Sequence, residues 1–242
     1  LPDEIILSDD ASTDDSADTM RYYAAKYHEI IKLNLNQVNQ GIQAHFNQAA
    51  SIATGDVMMF LGADNRLMSN YVESLFSELV ADPCIGVAYT DFALFGGRAR
   101  NDYERMLSQF KGVRLPNGVF LTNFPEYDEK ARELLAAGHN FIHGSSMYLR
   151  QAFDAVGGYR DRKDGPEDMS FFQGVLAAGY GARKSSATLL EYRQHSAEQA
   201  NYQFSYFGEL QRLREESRRM RELEREVRRL GEVISEMAAE TQ

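Results

Sequence analysis

Cysteine is almost absent: Cys84 is the only one in 242 residues. A lone thiol excludes an intrachain disulfide and a structural zinc site built from several cysteines, and it favours a reducing, cytoplasmic setting. Cations are also in short supply, with 26 Lys and Arg against 36 Asp and Glu for a net charge of -10. Nucleic-acid binding neutralises phosphates with clustered Lys and Arg, so this balance argues against it, whereas it suits a site that holds a divalent cation. No apolar run approaches the ~18–20 residues that span a bilayer, and no signal-peptide pattern opens the chain. The expectation is a soluble protein, with peripheral membrane association as the nearest alternative. An initiator methionine is missing as well: Leu1-Pro2-Asp3-Glu4 runs straight into a strand pattern, which points to sequence upstream of Leu1.

What is present is the composition of an ordinary globular protein, 43% hydrophobic and 26% charged, enough for one core-bearing domain plus an appendage. Up to about Leu94, β-rich runs alternate with helical patterns, the form of βαβ units around a largely parallel sheet. A buried strand is predicted over 4–8, a helix over 16–27 and a short strand over 29–33. Ile42, Phe46, Ala49, Ala50 and Ala53 share one face of a predicted helix over 41–54, with Gly55 as its stop. The continuous apolar run 56–61 predicts a central parallel strand. Ser69 is the expected N-cap of a helix reaching Val80, and 86–90 is a further strand. From Phe92 to Gly138 the pattern weakens among turn signals, the stretch expected to choose an acceptor. Regularity returns with a strand over 144–149, helices around 151–156 and 167–178, and a closing strand over 182–190.

The tail differs in kind. Leu213, Met220, Val227 and Ile234 recur every seven residues, with Leu223, Leu230 and Met237 three positions later, a heptad seam interrupted by Glu216 and Gly231. An oligomerisation coil or rigid spacer over 210–238 is expected, or else one amphipathic helix lying on its own domain. The domain division is therefore 1–196 and 197–242.

Ligands of open parallel sheets bind beyond the carboxyl ends of strands, where loops and helix N-termini gather. Two such ends carry acids here. Asp9 and Asp10 follow the first strand, inside Ser8-Asp9-Asp10-Ala11-Ser12-Thr13-Asp14, and Asp64 follows the central one, inside Gly62-Ala63-Asp64-Asn65. Asp and Ser also cap helices and make Asx turns with no ligand involved. Yet a carboxylate ending a buried strand is costly unless it is solvated, paired or bound to a cation. Glu167-Asp168 opens a helix, where capping alone explains an acid and where a general base is the functional alternative. Single histidines are usually structural or surface residues, the reading given to His28, His45, His139 and His143; His195 in Tyr192-Arg193-Gln194-His195 stands apart.

The order of these signals carries more than any one of them. The acidic run, then Asn39-Gln40-Gly41 with Asn47 and Ala50, then Thr54-Gly55-Asp56, then Leu61-Gly62-Ala63-Asp64-Asn65 resembles family 2 glycosyltransferases of the GT-A fold. Gly144-Ser145-Ser146-Met147-Tyr148-Leu149-Arg150, Val156-Gly157-Gly158-Tyr159, Glu167-Asp168 and Tyr192-Arg193-Gln194-His195 continue it to about residue 196. The resemblance implies an α/β, GT-A-like and Rossmann-like domain with a mostly parallel sheet flanked by helices. It implies an inverting transfer from a nucleotide-sugar donor to a glycan or lipid-linked hydroxyl acceptor.

Asp9 and Asp10 would contact the base and ribose, with Ser12, Asn39, Gly41, Asn47 and Ala63 in the same donor-binding set. Asp64 would bind Mn²⁺ or Mg²⁺ with help from His195, Asp168 would be the base, and Glu167 its supporting neighbour. Two departures stand out. Gly62 replaces the first acid of the family's Asp-x-Asp element, and the strand with which the family normally starts is not in the sequence. Both favour a rival expectation, a non-catalytic nucleotide-sugar-binding or scaffold module assembled through the coil. A sugar nucleotidyltransferase is less favoured, because no Gly-rich, cationic phosphate loop occurs near the start.

Overall fold

The computed structural model describes residues 1–96, 99–107, 110–114, 119–160 and 166–195, together with residues 219, 220 and 223. The chain divides into two units, Leu1–Ser196 and Ala197–Gln242. In the second, Met220 and Leu223 are helical and exposed. The other positions of the expected heptad seam lie outside the described residues.

The first unit runs β1 (Ile5–Asp9), α1 (Ser16–Lys26), β2 (Ile31–Leu35), α2 (Ile42–Ile52), β3 (Val57–Met59), β4 (Arg66–Leu67), α3 (Tyr71–Val80) and β5 (Ile85–Phe95). It continues α4 (Ala99–Met106), β6 (Lys111–Arg114), β7 (Phe120–Asn123), α5 (Glu129–Ala136), β8 (Met147–Leu149), α6 (Arg150–Val156), α7 (Glu167–Ala177) and β9 (Gly181–Arg193). Helix α3 shows why these segments fold as they do: Tyr71, Leu75 and Leu79 recur every fourth residue and all three are buried. Asp128 caps α5 by accepting from the backbone N–H of Ala131. Helix α2 ends at Ile52, ahead of Gly55, with Ala53 extended. The glycine is thus not the stop; the chain has already turned toward β3.

Strands β1 and β2 form a parallel pair of their own. The other seven make one mixed sheet, in order β3-β8-β5-β7-β6, with β9 parallel to β5 and antiparallel to β4. The architecture is a sheet flanked by helices as expected, but its pairings are mixed rather than mostly parallel: β8 runs antiparallel to both β3 and β5. The apolar run 56–61 is corrected too. It yields only the three-residue β3, paired antiparallel to β8 and ending the sheet path, so its apolarity reflects packing against the core cluster rather than pairing on both sides. The central position belongs to β5, which β8 and β7 flank on one side and β9 on the other. Nine of its eleven residues are buried, as a strand covered on both faces requires. The stretch that reads as irregular after Phe92 supplies the end of β5 together with α4, β6, β7 and α5. Among the described residues no helix is long and apolar enough to cross a membrane.

Candidate active site

Strand directions decide which loops meet. Since β8 opposes β3 and β5 while β9 follows β5, the carboxyl ends of β3, β5 and β9 share one sheet edge with the segment entering β8. The acidic turn after β1 joins that edge through α2. Glu4, just before β1, accepts from the backbone N–H groups of Thr54 and Gly55 beyond the C-terminal end of α2. Asp10, just after β1, accepts from Gly41 N at the other end. Strand β1 therefore runs back along α2, and β3 does the same, since Phe46 of α2 stacks on Phe60 with ring centroids 4.5 Å apart. The turn at Asp9-Asp10, the turn at Asp64, the end of β9 at His195 and the segment 140–146 thus lie toward one end of the first unit.

Asp64 and His195 touch: His195 Nε2 lies 2.9 Å from Asp64 Oδ2, across 131 residues of sequence. The framework joins strand pairing to side-chain hydrogen bonds. Strand β4 pairs Arg66 with Glu191 on β9, Arg193 N donates to Asn65 Oδ1 at 3.0 Å, and Arg193 Nε donates to the Asp64 carbonyl at 3.1 Å. The guanidinium groups of Arg66 and Arg193 lie 4.4 and 4.7 Å from the centre of the Phe95 ring. Both members of the Asp64–His195 pair remain about a third exposed. Carboxylate oxygen and imidazole nitrogen suit Mn²⁺, and oxygen ligands suit Mg²⁺, with remaining positions open to phosphate oxygens and water. Among the described residues no group of three or more His, Cys, Asp and Glu could hold an ion unaided, so this pair fits a cation shared with a ligand.

Gly62 has a role in the same turn. A Cβ there would sit 2.9 Å from Asp64 Oδ1 and 3.2 Å from Asn65 Nδ2, while Asn65 N donates to the Gly62 carbonyl at 3.0 Å. The turn folds into the space that a side chain would take. Ala63 is exposed at its tip.

The other expected donor contacts are engaged within the protein. Asp9 accepts from both the backbone N–H and the hydroxyl of Ser12, which fixes the turn whose Ala11 adopts a φ of 65°. Asp10 accepts from Asn36 Nδ2 at 2.8 Å and from Gln40 N and Gly41 N at 2.9 and 3.0 Å. Burial pushes the Asp10 carboxyl up, but these donors and the nearby His45 outweigh it and hold the group below the usual carboxylate range. Asn39 donates to the Asp10 carbonyl and accepts from Gly41 N. Asn47 is a clasp: its amide donates to the Tyr159 carbonyl at 2.7 Å and accepts from Tyr159 N at 2.8 Å. Gly158, with a φ of 75°, lets the chain approach, since a Cβ there would lie 2.5 Å from Asn47 Oδ1. Asn47 therefore positions the chain after α6.

Asp168 lies in the first turn of α7, beside Glu167. Its Oδ1 accepts from Met169 N at 2.7 Å and from Asn140 Nδ2 at 3.2 Å. Burial, and then the Glu167 charge, push its carboxyl from 3.8 up to about 7 despite those donors. A carboxyl that titrates near neutrality can take and return a proton at the pH where the protein works.

Two features escaped the sequence reading, Asn140 and the pair of Lys184 with Asp91. Asn140 carries no motif signal. His143 is buried, with Nε2 3.3 Å from Thr90 Oγ1, and burial lowers it to about 4 so that it stays neutral. Lys184 is buried against Asp91 at 2.7 Å and donates to the Phe124 carbonyl at 2.7 Å, tying β5, β9 and the end of β7 together. Lys184 follows Arg183 in a closing strand that also carries Ser185, Ser186 and Thr188, so no apolar contrast marks this pair in the sequence.

Residues 1–157 match the family model described as Glycosyl transferase family 2. The chain is 27% identical over 208 residues to EpsE of Bacillus subtilis (strain 168), named as a glycosyltransferase, covering 84% of this chain and 66% of that protein. Its fold is similar to that of S. aureus TarS residues 1–349 in complex with UDP-GlcNAc, with a TM-score of 0.61, 15% identity, and coverage of 85% and 54% of the two chains. It is also similar to mannosyltransferase PcManGT from Pyrobaculum calidifontis in complex with GDP-Man and Mn²⁺, with a TM-score of 0.55, 18% identity, and coverage of 81% and 49%. At these identities the solved structures speak for the fold, which is GT-A-like. The chain spans just under two thirds of EpsE and about half of each solved chain.

Proposed function

The chain belongs to glycosyl transferase family 2, and on that premise we propose that it moves a sugar from a nucleotide-sugar donor to a hydroxyl of a glycan or lipid-linked acceptor, by single displacement with inversion. The observation that carries this reading is the contact of Asp64 with His195 across 131 residues, supported by the contact of Asp168 with Asn140 in the segment entering β8. The acceptor oxygen attacks the anomeric carbon, the bond to the diphosphate breaks with its electron pair on the departing oxygen, and the acceptor proton passes to Asp168. General-base help of this kind contributes about 10²–10⁴-fold. Burial, and after it the Glu167 charge, keep the base poised near neutrality. Asp64 and His195 would hold Mn²⁺ or Mg²⁺, which neutralises charge on the leaving diphosphate. Ser12 and the loop carrying Asn39 and Gly41, shaped by Asp9 and Asp10, would form the wall against the nucleoside. The location that fits this chemistry is the cytoplasm, with peripheral attachment where lipid-linked glycans are built.

The test is nucleotide release from UDP-N-acetylglucosamine and from GDP-mannose, with and without Mn²⁺, in the native chain and in Asp168→Asn. Binding with loss of turnover is the expected outcome for the variant, and unchanged turnover removes Asp168 as base. A second reading, a binding or scaffold module, draws on the Gly62 turn and on the internal engagement of Asp9 and Asp10. It would give donor binding by the native chain with no nucleotide released under any metal.

A further inference from the structure

We propose that Asn140 is a positioning residue for Asp168: its amide holds one carboxylate oxygen so that the other, Oδ2, is the atom presented to the acceptor hydroxyl. This rests on the reading of Asp168 as the base. The two carboxylate oxygens have different surroundings. Oδ1 takes both donors, Asn140 Nδ2 and Met169 N. Oδ2 lies beside Gly144, where a Cβ would stand in ordinary van der Waals contact at 3.5 Å, and the Gly144 backbone N–H also favours the ionised carboxylate. Oδ1 is thus the anchored oxygen, and Oδ2 is the one left without a side-chain donor among the described residues.

Asn140's own carbonyl oxygen confirms which way its amide is locked. That oxygen is buried and has no hydrogen-bond partner among the described residues. An amide is free to turn over in search of a donor, but turning here would set its oxygen against Asp168 Oδ1, two acceptors face to face. A buried unmatched carbonyl is tolerated because the alternative opposes an ionised carboxylate. The contact thus favours the charged, proton-accepting form of Asp168. Among the described residues the ionisable groups coupled to Asp168 are Glu167 on α7 and the buried Tyr159 hydroxyl before it. Asn140 and Gly144, on the segment entering β8, are uncharged and pull toward ionisation, while burial and Glu167 push against it.

The full chain, labelled with ¹³C-aspartate, gives the Asp168 titration directly by carbon NMR, its signal assigned by loss in Asp168→Asn. Asn140→Ala should move the midpoint up by about one pH unit, the effect of one lost donor to a carboxylate. Asn140→Asp should move it further, because two acids then share the site. With UDP-N-acetylglucosamine and Mn²⁺ as the probe, the acid limb of UDP release should rise with the midpoint, and the plateau should fall by about 10-fold or more as the base loses its alignment. An unmoved midpoint in both variants, each still folded by circular dichroism, overturns the proposal. If Asp168→Asn leaves UDP release untouched, the base reading falls, and the titration still decides on its own whether Asn140 holds the carboxylate.

Discussion

Replacing Asp168 by Asn should make the fold more stable above neutral pH, in proportion to how strongly the site resists the charge it needs. In the unfolded chain this carboxyl titrates at its ordinary 3.8; in the folded protein burial and Glu167 raise it to about 7. The unfolded state therefore ionises first as pH rises, and folding becomes progressively less favourable between those two values. Each unit of difference corresponds to about 1.4 kcal/mol, so the full penalty reaches about 4 kcal/mol above pH 7 and vanishes below about pH 4. Asn keeps a carbonyl to accept from Met169 N and removes the charge. That carbonyl keeps Asn140 Nδ2 as well, while the amide nitrogen takes the Oδ2 position beside Gly144, where the backbone N–H had favoured a carboxylate, and this offsets part of the gain. A net stabilisation of about 2 kcal/mol at pH 8 raises the Tm by roughly 4–8 °C for a domain of this size. Thermal melts of both proteins at pH 5, 6.5 and 8 measure it: the difference in Tm should widen as pH rises. Parallel melting curves with a constant gap, or a gap that narrows toward pH 8, would refute the placement of Asp168 as an acid forced to ionise in a hostile setting.

Asp64→Ala should abolish the part of nucleotide-sugar affinity that depends on Mn²⁺, and His195→Ala should weaken it; calorimetry giving the native chain one affinity with and without the ion would sink that assignment. Lys184→Met strands Asp91 beside Phe124, and because Asp91 keeps 21% side-chain exposure the expected loss is near the lower end for a broken buried pair, about 3 kcal/mol in denaturant unfolding. Adding Asp91→Asn to that variant should recover much of it, and a loss below about 1 kcal/mol in the single variant would show that the pair is structurally idle.

Much of the fold is visible in hydrophobic periodicity. Helices α1, α2, α3 and α7 fall within a few residues of their predicted spans, because each is long enough for its spacing to repeat. Strand partners are not visible in this way. The run 56–61 looks central from its apolarity alone, whereas β5, whose pairing partners arrive from residues 120–193, is the covered strand. Periodicity reports whether a segment is buried and says nothing of which strand lies beside it. The site divides similarly. The meeting of Asp64 with His195 follows from motif order, but the engagement of Asp10 with Gln40 N and Gly41 N, or of Asn47 with Tyr159, depends on the path of the backbone, which side-chain identities do not carry. Asn140 is out of reach for the same reason, being defined by what it touches.

The bonds that gather this edge join Asn47 to Tyr159, Asn70 to Thr188 and Asp64 to His195, spans of 112, 118 and 131 residues. During synthesis, with the N-terminal end emerging first, β1 to β3 and α2 leave the ribosome long before any of these partners exists. Until β9 emerges, the Asp64 turn has neither its imidazole nor the backbone of Arg193 to shape it, and β5 waits beside an unfilled position. The nascent chain therefore carries a sticky, half-paired sheet until β9 docks, and only then does Asp64 meet its imidazole.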